Sequence, residues 1–370
     1  MTLSDLEFKA REGDLNAQFQ LAGQLDAAGR HEEAISWLSR AAKAGDARAL
    51  AALGLRLLTG RDAPLLPRDG AGLLSDAAAR GDAGAAAMIS VLAGGGFYGP
   101  QSWEVALDYL QRSAELGGAS ARAQLRILTG DSSPRAKGGA RAAADVWRRL
   151  RQGVDVAAWT GPPPAAQTLN RSPLIRACQG LATKAACDWI IQQARPRLER
   201  ALVQDPATGL TIMGETRTNR VANFALADAS LLFLFMQARL AAAAGLDMRM
   251  MEAFAVLHYA PGEEASEHVD YLDPALPAYA GAIAEFGQRT ATCLVYLNEG
   301  YAGGETAFPL LGIGHRGRTG DALIFRSVDA AGAADPRSLH AGRPPTTGEK
   351  WVLSQFIRDR PRAGLGDPRP

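Results

Sequence analysis

Glycines recur at a fixed interval through the first third of this chain. Gly45, Gly81 and Gly117 lie 36 residues apart. The same step of 36 separates Ala34, Gly70 and Ala106, then Ala42, Ala78 and Ala114, then Trp37, Leu73 and Tyr109, then Leu53, Ile89 and Leu125. An earlier copy is offset by 32, running Gly13 to Gly45, Ala17 to Ala49 and Leu21 to Leu53. A chain that repeats itself at this period reuses one supersecondary unit, and each copy must bury its apolar side against the next. Small residues at fixed positions let paired helices approach closely, and glycines close the turns between them. Residues 1–130 are therefore expected to form an α-helical solenoid.

The text changes after the last copy. Gly130-Asp131-Ser132-Ser133-Pro134 ends the repeat, residues 139–152 read as one more amphipathic helix, and Gly161-Pro162-Pro163-Pro164 reads as a stiff linker. Residues 131–169 are taken as helix and linker, 170–362 as a second domain and 363–370 as a tail. A chain of 370 residues is long for one core. The second domain is expected to open with helix, such as Ala182 to Arg200, followed by short strands separated by turns. That order fits a double-stranded β-helix, a jelly roll braced by helices on one side.

Charge excludes some partners. A net charge of +1 gives no reason to expect nucleic acid or an anionic membrane. The first residues carry no basic and apolar leader pattern, and the run Leu231 to Phe235 is far too short to span a bilayer. Cys178, Cys187 and Cys293 have neither disulfide-framework nor zinc spacing. A reducing cytoplasm is the expected compartment.

Chemistry concentrates near position 270. In a strand, residues i and i+2 point to one face, so His268 and Asp270 can share a metal. A third ligand must come from another strand. His340 lies just before the apolar run Trp351-Val352-Leu353, with Lys350 at its start. Two histidines and a carboxylate on one face of Fe(II) leave three positions open for a bidentate 2-oxoacid and O2. A lone ammonium deeper in the barrel can pair with the distal carboxylate of 2-oxoglutarate. A His-x-Asp triplet by itself is more often a surface or capping feature; its surroundings decide here.

Those surroundings are Tyr259-Ala260-Pro261-Gly262, then Gly287 to Thr292 leading into Cys293-Leu294-Val295-Tyr296-Leu297, then Gly303-Gly304-Glu305-Thr306-Ala307-Phe308-Pro309, then Gly320-Asp321-Ala322-Leu323-Ile324-Phe325, then His340-Ala341-Gly342 and Gly348-Glu349-Lys350-Trp351. In this order they resemble the prolyl 4-hydroxylase family of Fe(II)/2-oxoglutarate dioxygenases. The likeness extends upstream to Ala194 to Arg200 and Glu215 to Thr218, covering about residues 170 to 360. The resemblance implies His268, Asp270 and His340 as iron ligands and Lys350 as the anchor of the 2-oxoglutarate carboxylate. It also implies Tyr259 and Thr292 as hydroxyls that help hold that carboxylate, with ascorbate as a candidate accessory cofactor. On chemistry alone Tyr259 reads equally as a half-buried strand tyrosine and Thr292 as an ordinary β-branched strand residue. The repeats resemble the Sel-type tetratricopeptide branch, which implies recruitment of a peptide or protein; a bundle that merely shields or dimerises the enzyme is the plainer alternative.

The chain departs from the family where substrate would enter. Ala265 stands where many members have a tyrosine, Glu267 where proline is common, and His258 where arginine is common beside the tyrosine. Arg289 reads as a solvated strand end rather than a pocket cation. Two stretches, Asp205 to Asn219 and Tyr271 to Gln288, read as long loops that either cap the mouth or are mobile insertions. The expected activity is hydroxylation of a peptidyl residue, proline first, yielding succinate and CO2. The alternatives are the same chemistry on a free amino acid or small molecule, and a non-catalytic solenoid scaffold or sensor.

Overall fold

A computed structural model describes residues 3–133, 140–163, 165–204, 211–212 and 217–361. Most of the loop expected at 205–219, including Glu215 and Thr216, lies outside the described residues, as do Pro164 of the linker and the tail 363–370. The structure divides into two compact units. Among the described residues, one holds those up to Asp155 together with Leu226–Leu234; the other holds Val156–Ala225 and 235–361.

The helical unit follows the repeat. Its helices are α1 (Leu3–Arg11), α2 (Leu15–Ala27), α3 (His31–Lys43), α4 (Ala47–Thr59), α5 (Pro67–Ala79), α6 (Ala83–Gly95), α7 (Trp103–Glu115), α8 (Ala119–Thr129) and α9 (Ala140–Gln152). Gly13, Gly45, Gly81 and Gly117 all adopt φ between 91° and 101°, the left-handed region that only glycine enters cheaply. Asp14, Asp46 and Asp82 follow the first three of these glycines, and each side chain caps the next helix by accepting from the backbone N–H three residues on. Such a cap is worth about 1 kcal/mol. In the fourth copy Gly118 takes the aspartate's place and makes no side-chain cap. At Gly70 an added Cβ would fall 2.5 Å from the backbone nitrogen of Leu58, so α5 lies against α4 at glycine distance. Leu226–Leu234 belongs to this unit in space although it comes about 70 residues later; the Leu232 N–H donates to Gln124 Oε1 at 3.0 Å.

In the other unit a short helix α10 (Val156–Thr160) precedes an eight-stranded sheet. Its strands are β1 (Ala165–Arg171), β2 (Leu174–Gln179), β3 (Glu199–Arg200), β6 (Arg220–Asn223), β7 (Ala255–Tyr259), β9 (Arg289–Tyr296), β13 (Ala322–Arg326) and β16 (Lys350–Arg358), in the spatial order β1-β2-β13-β9-β16-β7-β6-β3. A four-stranded sheet, ordered β12-β11-β14-β8, contains β8 (Ala265–His268), β11 (Thr306–Phe308), β12 (Ile313–His315) and β14 (His340–Gly342). Two small pairs complete the set: β4 (Val203–Gln204) with β5 (Thr211–Ile212), and β10 (Ala302–Gly303) with β15 (Pro345–Thr347). All the paired strands are antiparallel. Ile175, Leu294, Tyr296, Phe325 and Val352 of the large sheet share one apolar core with Ala265 and Phe308 of the small one. The jelly-roll expectation is met.

Three local expectations give way. The expected long helix does not come first: after the one-turn α10 the chain forms the hairpin β1–β2, and β1 begins at Ala165, inside the stretch read as linker. Pairing with a partner nearby in sequence outweighs the turn composition there. The helix expected over 182–200 is α11 (Lys184–Ala194), capped by Thr183 and ended where Pro196 enters a 3-10 turn. After α12 (Leu231–Ala244), the stretch 271–288 is not a plain loop, because it contains α13 (Pro277–Phe286).

Candidate active site

The small sheet brings the three candidate metal ligands together. In the β8–β14 pairing His268 lies directly across from His340. Their ring centroids are 4.3 Å apart. Asp270 follows just beyond the end of β8. One ligand atom from each of His268, Asp270 and His340 lies within 4.8 Å of the others. His268 Nε2 is 3.6 Å from Asp270 Oδ1, and His340 Nε2 is 3.4 Å from Asp270 Oδ2.

Both imidazoles are oriented in the same way. His268 Nδ1–H donates to the carbonyl of Ser266 at 2.7 Å, and His340 Nδ1–H donates to that of Ser338 at 3.0 Å. Each bond spends one nitrogen on the backbone and turns the Nε2 lone pair toward the shared space, as metal-binding histidines require. Burial pushes the His340 pKa down to about 4, so the ring is neutral and able to ligate at pH 7. Burial alone would raise Asp270, but His340, His268 and the Thr292 hydroxyl outweigh it and hold the carboxyl below its usual range. Two imidazole nitrogens and a buried carboxylate are a donor set that fits Fe(II).

The cavity beside the triad is lined by Arg217, Tyr259, Ala265, Thr292, Thr306 and Lys350. Lys350 and Tyr259 are direct partners in the β16–β7 pairing, with Lys350 Nζ 4.9 Å from the Tyr259 ring. Lys350 is 1% exposed, and burial pushes its pKa down to about 8; Glu305 opposes that shift. No carboxylate forms an ion pair with it among the described residues. A buried ammonium without a partner, facing a cavity, is costly unless an anion arrives there. Lys350 is clamped from both sides, since Asn298 Nδ2 donates to the Glu349 carbonyl at 2.7 Å and Asn298 Oδ1 accepts from the Trp351 N–H at 2.9 Å. Asn298→Ala is expected to raise the 2-oxoglutarate concentration needed by about three- to tenfold, the effect of losing roughly 1 kcal/mol of positioning. A titration curve that overlays the wild type would show that the clamp holds only the backbone.

Several side chains are not where the sequence suggested. Arg289 is neither a solvated strand end nor a pocket cation. Its guanidinium pairs with Glu252 at 2.8 and 3.0 Å and stacks 3.9 Å from the Phe356 ring. Glu252 lies 37 positions away in sequence, so no local pattern announced it. His258 bonds to Glu349 Oε2 at 2.9 Å and packs on Trp351, which places it in a strand-end cluster. Glu267 pairs with Arg343 at 3.2 Å, both half-exposed. Other cavity residues carry no signal in the sequence. Arg217 stands within the stretch Glu215 to Thr218, and nothing local assigns it to the cavity. Thr306, 2% exposed, bonds to the Tyr296 hydroxyl at 3.0 Å. The period-2 alternation along β9 puts Thr292, Leu294 and Tyr296 on one face, and the Tyr296 hydroxyl reaches Thr306 from there.

Opposed antiparallel sheets, a His-Asp-His cluster and a buried lysine at the foot of one cavity define a 2-oxoglutarate-dependent dioxygenase. A sequence model described as the 2OG-Fe(II) oxygenase superfamily matches residues 254–358. Prolyl 4-hydroxylase 1 of Arabidopsis thaliana is 30% identical over 210 residues, covering 52% of this chain and 72% of that protein. The chain belongs to the prolyl 4-hydroxylase family. Among solved structures, a viral collagen prolyl hydroxylase from Paramecium Bursaria Chlorella virus-1 covers 50% of this chain and 94% of its own, with 24% identity and a TM-score of 0.38. A Sel1 repeat protein from Oxalobacter formigenes covers 34% of this chain and 96% of its own, with 30% identity and a TM-score of 0.32.

Proposed function

We propose that this chain hydroxylates a peptidyl residue, proline first, with Fe(II), 2-oxoglutarate and O2. His268, Asp270 and His340 hold the metal, and Lys350 and Tyr259 receive the distal carboxylate of 2-oxoglutarate. The observation that carries this reading is the preassembled triad beside a buried, unpaired ammonium, in a chain of this family. The chemistry that bound Fe(II) supplies is a coupled oxidation, in which 2-oxoglutarate becomes succinate and CO2 and one oxygen atom enters an aliphatic C–H bond. The protein's part is positional. The Ser266 and Ser338 carbonyls fix the imidazoles, burial keeps His340 neutral, and the apolar walls formed by Leu257, Leu294 and Val352 limit water around the carboxylate. The side chain of His268 is 39% exposed while those of Asp270 and His340 are almost closed off, so substrate approaches from the His268 side.

Arg217 supports a second reading, the same chemistry on a free amino acid or other small acid, because a guanidinium in the cavity can pair with a substrate carboxylate. Ascorbate as an accessory reductant, recruitment of the protein substrate by the helical repeats, and a reducing cytoplasm complete the proposal. Three unpaired, buried cysteines support the compartment. No helix among the described residues is long and apolar enough to cross a membrane.

A mass-spectrometric screen of peptides and lysate tests the reading. The expected result is a gain of one oxygen on a peptide that needs both iron and 2-oxoglutarate. Turnover of free amino acids with none of any peptide favours the second reading, and no turnover of any substrate leaves a scaffold. Ala265, 4% exposed and bridged to Arg217, marks the substrate side. Ala265→Tyr is expected to change which peptides are accepted while leaving the 2-oxoglutarate requirement in place. An unchanged peptide profile would remove Ala265 from substrate selection.

A further inference from the structure

Leu231 to Met236 are six consecutive apolar residues, each 3% exposed or less. Six residues cover more than a full helical turn, so this stretch of α12 is apolar on every side and must be enclosed on every side. Its first turn also carries backbone N–H groups that have no partner within the helix. Leu226–Leu234 belongs to the helical unit, and the repeats supply both needs there.

Two residues of the repeats make the seat. An added Cβ at Gly94, near the end of α6, would fall 2.7 Å from Leu231 Cδ1 and 3.3 Å from Leu234 Cδ1. The two leucines fill the space that a larger side chain at 94 would take. Gln124 of α8 is 2% exposed. Its Oε1 accepts from the Leu232 N–H at 3.0 Å, and its Nε2 donates to Ser120 Oγ at 3.0 Å. The next two N–H groups are met locally: Phe233 donates to Ser230 Oγ at 3.3 Å and Leu234 to the Ser230 carbonyl at 3.2 Å. The repeat departs from its own pattern at both seat positions. One period of 36 before Gly94 stands Leu58; one and two periods before Gln124 stand Met88 and Ala52. Leu58 is 1% exposed, so the earlier copy fills with a side chain the place that the later copy leaves open.

We infer that α6 and α8 are specialised as an internal docking site for the start of α12, and that this face of the repeats is closed to a recruited protein. The occupant is the chain's own segment from Ser230 to Leu234. From Phe235 the same helix belongs to the other unit, where Gln237 Nε2 donates to Gln355 Oε1 at 2.9 Å. The repeats therefore hold a helix that both units share, a role independent of the dioxygenase reading. Hydrogen exchange of the full chain, read by mass spectrometry on fragments covering α12 and α3, tests this. In the wild type the amides of Leu232 to Leu234 should exchange slowly. Gln124→Ala is expected to speed exchange at Leu232 about tenfold, the effect of leaving a buried N–H without its acceptor. Gly94→Leu should speed exchange from Leu231 to Met236 about ten- to a hundredfold, the usual range for forcing an extra side chain into packed space. Exchange in α3 should stay at the wild-type rate in both variants. Fast exchange of Leu232 to Leu234 in the wild type, or unchanged exchange there in both variants, overturns the inference. Equal acceleration of α3 and α12 also overturns it, since the variants would then loosen the repeats as a whole rather than a local seat.

Discussion

His268→Ala and His340→Ala are each expected to lower 2-oxoglutarate turnover below about one per cent of wild type while the fold persists, since a facial triad cannot hold Fe(II) in place with a ligand missing. The two variants differ in what else they remove. The His268 side chain is 39% exposed, so its truncation deletes a metal bond and little packing. His340 is enclosed, with Phe325 at 4.7 Å and Phe308 at 5.8 Å between ring centroids, so its truncation also leaves a cavity. His340→Ala should therefore melt a few degrees lower than His268→Ala, by the cavity cost of a buried side chain. Succinate release measures the first effect and thermal unfolding the second. Near-normal succinate from either variant would end the iron assignment.

Lys350→Ala should raise the 2-oxoglutarate concentration needed by about ten- to a hundredfold, because a charge-assisted hydrogen bond to a buried carboxylate is worth roughly 1.5–3 kcal/mol. The wild type should also show a pH dependence that the variant lacks. Burial places the Lys350 pKa at about 8. Below that pH the ammonium is charged and 2-oxoglutarate affinity is level. As pH rises through 8 the charge is lost and affinity falls. The stability of the ligand-free protein runs the opposite way. The lysine titrates near 10.5 when unfolded and near 8 when folded, so the unfolded chain binds more protons between those values. Stability should rise with pH across that window and do so less in Lys350→Met, which carries no buried charge. Parallel affinity curves for wild type and Lys350→Ala would reduce Lys350 to a structural strand end.

The repeat shows how far local pattern reaches. A period of 36 with glycine at the turns is enough to place α3 to α8, because each turn's backbone conformation and each helix's apolar stripe are specified within a few residues of themselves. The triad was legible for a similar reason. His268 and Asp270 are two residues apart, which keeps their side chains close even though β8 ends at His268 and Asp270 lies just past it, and the short strings around His340 and Lys350 are local as well. Composition misled where a nearby partner outweighed it, as when residues read as linker became β1. Apolar residues between Tyr271 and Gln288 formed α13, where length alone had suggested a loop.

What the sequence by itself determined is thus the kind of unit at each end of the chain and which side chains make up the His-Asp-His cluster and the buried lysine beside it. The tertiary structure alone decided who faces whom. It put His268 across from His340 over 72 positions, gave Arg289 to Glu252, drew Leu226–Leu234 into the helical unit and spent the Thr292 hydroxyl on Asp270. These pairings depend on strand register and on closing long loops. The partners of a buried polar group are settled only when every competing donor and acceptor has been brought into the same small space.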